Sequence, residues 1–303
     1  ARLEATLDKL RRPQPADGEW HLAGAYLAGA LWNGVNLAKA DLRSTCLSYA
    51  ELGNAVLDGA NAEKIQLTGA QLSGARLRHI QAHNGDLAGA SMTRVRADHA
   101  LLEGANLESA VLIDSSLPHS EFHRANLTAA KLWRANLRNS QFAVAIIDEA
   151  DFQDADLTSA DLRGLTLRLA NFSGACLQGA NLMNCDWEET TLEDVNLSEA
   201  CLNCALLTAT VFTNGNLLRA SLANARLADI DWEGVCLRGA NLTDFKSPEE
   251  IRKANLCGAD LREACIAGVD FYLVDLRGAL YSADQREHFA RCGAILENRV
   301  RGE

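Results

Sequence analysis

The sequence predicts an all-β fold, a square solenoid of stacked coils, and three observations carry that prediction. First, a large apolar residue recurs at every fifth position from Leu22 to Leu242, 45 positions of which 32 are Leu and only Ala62, Ala82 and Ala97 are small. Second, the residue two places before each of these centres is small or apolar, and 27 of the 45 are Ala. Neither set contains a charge, although 23% of the chain is charged. A period of five fits neither the 3.6 of a helix nor the 2 of a flat strand. Ala and Leu favour helix by propensity, but a helix would scatter such a pattern around all its sides. A chain that turns a corner every five residues keeps the centre i and the residue i−2 inside and exposes the other three. Third, aromatic centres recur twenty apart: Phe122 with Phe142, Phe152 with Phe172, Phe212 with Trp232. Twenty residues is four corners, so each coil stacks on the one before at ~4.8 Å, and eleven coils rise roughly 53 Å.

The elements follow in order. Residues 1–19 place Leu3, Leu7 and Leu10 on one helical face before Pro13 and Pro15, which predicts an N-terminal helical cap or linker. The β-helix is expected over residues 20–281. From Leu242 to the next centre, Leu256, is 14 residues rather than five, so nine are counted as extra, and Ser247-Pro248-Glu249-Glu250 predicts a short helix within an insertion at 243–254. Centres resume at Leu256, Leu261, Ile266, Phe271 and Leu276. Residues 282–303 form the second cap: Ser282 and Gln285 match a capping box, Gly293 stops the helix, and Ala294-Ile295-Leu296 folds back on the last coil. The expected organisation is one domain with two caps.

Composition narrows the function classes. The chain has 303 residues, 48% hydrophobic, with a net charge of −11, so it is neither disordered nor suited to direct binding of nucleic acid. No apolar run approaches ~18 residues, which gives no membrane span. Nine cysteines in a chain of this size read as reduced thiols and a cytoplasmic setting. No phosphate loop, nucleophile elbow or zinc-protease helix occurs. His119-Ser120-Glu121 and Cys201-Leu202-Asn203-Cys204 imitate a zinc deaminase signature, but 82 residues separate them, about four coils or ~20 Å. Cys185 takes an inward slot, whereas Cys46, Cys176 and Cys236 take outward ones. No catalytic residue, metal or cofactor is expected.

Units such as Ala40-Asp41-Leu42-Arg43-Ser44, Ala155-Asp156-Leu157-Thr158-Ser159 and Ala180-Asn181-Leu182-Met183-Asn184 resemble the pentapeptide-repeat family. The resemblance spans about residues 20 to 281 and implies a right-handed quadrilateral β-helix. Asn or Asp at i−1 suits tight corners, where such side chains bond nearby backbone. Gly recurs at i+2, as in Gly24, Gly69 and Gly104, where positive φ is cheapest. The resemblance also allows two towers to pair through the C-terminal cap.

Four faces, named by their first centres, sort the charges. Through residue 244 the Leu22, Leu27, Trp32 and Leu37 faces carry net −2, −6, −5 and +3. Asp148, Glu149, Asp151, Asp154, Glu188, Glu189, Glu193 and Asp194 form a candidate acidic stripe, with Arg168 expected to bridge Asp148 and Glu188. On the basic face His79, His99 and His119 share one slot in three successive coils, beside Arg76 and Arg96; imidazoles ~5 Å apart should resist joint protonation. On the Trp32 face Ile113 and Trp133 stack outward near Val111, Lys131 and Arg134, a candidate partner-binding hot spot. The expected function is a non-enzymatic scaffold for a protein partner. The alternative is a DNA mimic acting on a type II topoisomerase, as the resemblance suggests. Duplex DNA carries about 31 charges over ~53 Å, against ten net negative charges on the tower.

Overall fold

The computed structural model describes residues 20–207, 210, 212–227, 230–243 and 254–297. The predicted N-terminal helix and the helical insertion lie outside those residues, apart from the insertion's two ends. The chain divides into two compact units, Ala1–Asp156 and Leu157–Glu303. A coil touches only its neighbours, so compactness in such a chain is a local property.

Each unit is a stack of coils joined by single-residue parallel bridges. In the first unit the i−1 residues pair twenty apart, from His21 with Asp41 to Asn136 with Asp156. In the second they run from Asp161 with Asn181 to Asn241 with Cys265 and beyond. Where i−1 is Asn or Asp, the repeat can satisfy all five of its N–H groups. In the unit 86–90, Asp86 donates to Ile65 O of the coil below at 2.8 Å, while Leu87 and Gly89 donate to Asn106 O and Glu108 O above at 2.7 and 2.8 Å. Ala90 closes the corner by donating to Leu87 O at 3.0 Å. The remaining N–H, of Ala88, finds the Asp86 carboxylate at 3.2 Å. The second unit repeats the arrangement at Asn196, whose side-chain oxygen accepts from Ser198 N–H at 3.1 Å. That bond is what Asn or Asp contributes at i−1: the i+1 N–H gains a partner within its own corner.

The third corner residue, i+2, has positive φ, as a turn of this kind requires. Glycine fills many such slots, but His79, His99 and His119 also hold φ of 56–58°. Val144, at φ 58° and 73% exposed, is the one β-branched residue with positive φ among the described residues.

Inside, Leu centres and small i−2 residues are buried throughout. Phe122 and Phe142 stack at 4.8 Å with planes 5° apart; in the second unit Phe212 and Trp232 lie 5.1 Å apart, tilted. Several i−2 slots hold hydroxyls. Thr45 Oγ1 donates to Leu22 O at 2.9 Å, and Ser120, Ser140 and Thr190 make the same bond to the centre carbonyl of the coil below. Trp187 and Trp232 are buried with their indole N–H groups unpaired among the described residues, a cost of about 1–3 kcal/mol each that their large apolar rings outweigh.

The interruption is smaller than the spacing of centres suggested. Asp231 pairs with Asn255, Cys236 with Asp260 and Asn241 with Cys265, each 24 apart. The coil there exceeds twenty residues by four, not nine, because Leu256 stacks over Trp232 rather than taking the face next after Leu242. The C-terminal helix α1, Ala283–Cys292, has the predicted capping box at Ser282 and Gln285 and ends on Gly293 at φ 81°. Gln285 Nε2 donates to Leu261 O and Ala264 O at 2.7 and 3.2 Å, and Phe289 packs against Phe271 at 4.6 Å. Ile295 then bridges Asp275, as the fold-back predicted.

Three outcomes follow for stability. Asn126→Ala leaves Thr128 N–H without its partner and cuts the bond to Asn106, so thermal unfolding should show a loss of about 1–2 kcal/mol. Val144→Asn relieves left-handed strain at an exposed site and should add about 1 kcal/mol in the same measurement. The Arg277 guanidinium holds the Asp275 carboxyl down to about 2. A depressed carboxyl contributes stability above its unfolded value, near 4, and loses it as pH falls towards 2. Asp275→Asn should therefore flatten the acid limb of the stability curve between about pH 4 and pH 2.

Candidate partner-binding surface

The histidine column forms as the period requires. His79, His99 and His119 are all exposed, with ring centroids 5.0 and 4.9 Å apart and planes inclined by 7° and 9°. Identical backbone conformation in the three slots sends the side chains in one direction. Arg76 and Arg96 bridge each other in the neighbouring i−1 row. Arg76 is paired with Asp58, and Arg78 reaches Asp98 at 3.3 Å. Arg96 has no carboxylate within ion-pair distance among the described residues.

On the Trp32 face Ile113 is half-buried and Trp133 is 37% exposed. Val111, Lys131 and Asp151 bridge in succession beside them. Trp133 is held at both ends. Its Nε1 donates to Asp154 Oδ2 at 3.1 Å, and the Arg134 guanidinium lies over the ring at 4.3 Å. Arg134 in turn grips Asp114 with Nε and Nη2 at 2.6 and 3.0 Å. That bond lowers the Asp114 carboxyl below its ordinary range and raises the guanidinium. The clamp was not anticipated from the sequence, yet its signal was there: Arg94, Asp114, Arg134 and Asp154 alternate in sign at a period of twenty.

The eight candidate carboxylates belong four to each unit. Asp154 is committed to Trp133, and Asp151 Oδ1 accepts from Gln153 N–H at 3.1 Å; Asp148 is half-buried and Glu149 exposed. In the second unit Glu188, Glu189, Glu193 and Asp194 are exposed. Arg168 binds Glu189 at 3.3 Å rather than the expected Glu188, because its long side chain reaches diagonally to the adjoining column. Asp194 accepts from Asn214 at 3.1 Å.

Cys185 is buried, with its Sγ donating to Leu162 O at 3.0 Å, and burial pushes its thiol up to about 12. Cys46, Cys176 and Cys236 are half-buried. Among the described residues no three His, Cys, Asp or Glu side chains are grouped to hold a metal, and no helix is long and apolar enough to cross a membrane.

Coils of four five-residue sides, with Asx-satisfied corners and a Leu and Ala interior, define a β-solenoid repeat scaffold. Eight copies of the model for pentapeptide repeats match residues 21–59, 50–89, 90–124, 105–142, 120–158, 150–188, 190–229 and 251–278, and the chain belongs to that family. Among solved structures it is similar to HetL, a pentapeptide repeat protein involved in heterocyst differentiation regulation from Nostoc sp. strain PCC 7120, at 26% identity over 79% of this chain and 90% of that one, TM-score 0.24. It is also similar to QnrB1, a plasmid-mediated fluoroquinolone resistance protein, at 16% identity over 90% and 99%, TM-score 0.34. A third is a pentapeptide repeat protein from the Arabidopsis thaliana thylakoid lumen, at 20% identity over 49% and 75%, TM-score 0.22. The family assignment rests on the repeat matches, since TM-scores of this size carry nothing about shape. Among curated proteins, none matches the chain.

The thiols give a direct check on the inward slots. In the folded protein at pH 8, Cys204 and Cys265, both exposed, should react with a thiol reagent within minutes. Cys185 should react only on unfolding, which mass spectrometry of the labelled peptides would read.

Proposed function

We propose that this protein is a non-enzymatic scaffold that docks a protein partner on the outer faces of a right-handed quadrilateral coil, with Trp133 at the centre of the contact. The observation that carries the reading is the Trp133 clamp. A tryptophan left more than one third exposed normally loses side-chain freedom on binding, at about 0.5–1.5 kcal/mol; Asp154 and Arg134 have already fixed this one. Ile113, Lys131 and Val111 supply the apolar and polar surround of a hot spot. The working setting is cytoplasmic, without cofactor, nucleic acid or membrane, and the C-terminal end around α1 is where two copies would pair.

The second reading is a DNA mimic acting on a type II topoisomerase, favoured by the exposed carboxylates Glu149, Glu188, Glu189, Glu193 and Asp194. Inhibition of gyrase supercoiling by the purified protein, or relief of quinolone poisoning, would promote it over the scaffold.

The scaffold reading is tested with Trp133→Ala combined with Arg134→Ala in affinity capture from the native host. Capture should fall at least about tenfold, as loss of a hot-spot side chain implies, while the melting temperature stays within a few degrees. Undiminished capture by the double variant would sink the assignment of this patch.

A further inference from the structure

We infer that the imidazole column of the first unit is an oxyanion-binding stripe that takes an acidic segment of a protein partner, carboxylate-rich or phosphorylated. This deepens the scaffold reading, rests on it, and names the chemistry of the partner at the face beside Trp133. Three rings, parallel within 9° and 4.9–5.0 Å apart, present their nitrogen-bearing edges as a ladder. Two N–H donors at that spacing can both reach one carboxylate or phosphate, each through its own oxygen at ~2.7–2.9 Å. Three rings make two such bridges.

Most of the fixed charges around the column are paired. Arg76, Arg78 and Arg138 are paired with Asp58, Asp98 and Asp156, and Ser116 Oγ also donates to Asp98 at 3.1 Å. Arg96 bridges Arg76 and Ser116 in its own row and has no carboxylate within ion-pair distance among the described residues. Gly59 and Asn139 close the column at its two ends. Three of the four arginines are neutralised, and the fixed positive charge of Arg96 remains beside the rings, which suits an oxyanion. Neighbouring imidazolium rings repel one another; an oxyanion bridging them offsets that repulsion. Binding and proton uptake are therefore linked, so oxyanion affinity rises as pH falls.

The test uses the full chain and three fluorescent hexapeptides: hexaglutamate, a peptide with two phosphoserines, and hexaglutamine. Glutamate carboxyls stay ionised between pH 6 and 8, so any pH response in that arm comes from the protein. Hexaglutamate should bind at least about tenfold more tightly at pH 6 than at pH 8, a change of about 1.4 kcal/mol, and hexaglutamine should not bind. The phosphoserine peptide, compared with hexaglutamate at pH 7, distinguishes phosphate from carboxylate as the preferred group. The variant H79N/H99N/H119N keeps the left-handed backbone, which Asn adopts readily and Asn139 already holds at φ 57°. It retains His83 and His123 on the adjoining face, so their titration serves as the internal control. Its hexaglutamate affinity should change less than about twofold with pH. Equal affinity in wild type and variant, a pH-independent wild type, or no peptide binding at pH 6 would each overturn the inference. The scaffold reading is judged separately, by the Trp133 and Arg134 variant, which leaves the imidazole column intact.

Discussion

Pairing of the backbone between successive coils, closed at each corner, is the constraint on which the rest of the structure depends. Bonds to the coils above and below satisfy three N–H groups, the corner bond a fourth, and, where i−1 is Asn or Asp, its side chain the fifth. No side is long enough to be a strand that could pair on its own, so the stack holds only because each coil templates the next. The same rule applies to the interior. Where an i−2 slot carries Ser, Thr or Cys instead of Ala, the polar hydrogen goes to a centre carbonyl, in the coil below for Thr45, Ser120 and Cys185 and in the same coil for Ser115 and Thr210, and burial is met with a partner. The indole N–H groups of Trp187 and Trp232 escape it.

Stacking at one spacing also explains why the surface is organised in columns. Any residue type repeated at twenty is brought to about 5 Å from its copy, and the outcome depends on its chemistry. Phenyl rings gain contact inside; imidazole rings outside form a stacked ladder; alternating Arg and Asp neutralise one another. The Trp133 clamp belongs to the last class. Asp114 and Asp154 sit one coil below and one coil above Arg134, and the column fixes an aromatic ring that a less regular surface would leave to rotate.

Strain marks where the pattern is least obeyed. The i+2 slot needs positive φ, which Gly and Asn supply at small cost and Val does not. Val144 is followed by the half-exposed Ile146, so that corner gives up both backbone comfort and polarity. The family pattern would place polar or small residues there, and nothing in the surrounding contacts explains the choice.

The sequence by itself determined the period, the inward and outward sets, the C-terminal capping box and the stacking of His79, His99 and His119. These follow from spacing alone, because a five-residue corner fixes where every side chain points. It also placed Trp133 and Ile113 on one outer row. Tertiary structure decided what spacing cannot express. Side-chain reach chose Glu189 over Glu188 for Arg168. The bridge between Asp231 and Asn255 showed that the interrupted coil holds four extra residues rather than nine, since distance along the chain does not say which face the chain rejoins. The clamp on Trp133 needed rotamers of four residues from three coils to agree, and only packing in three dimensions selects those together.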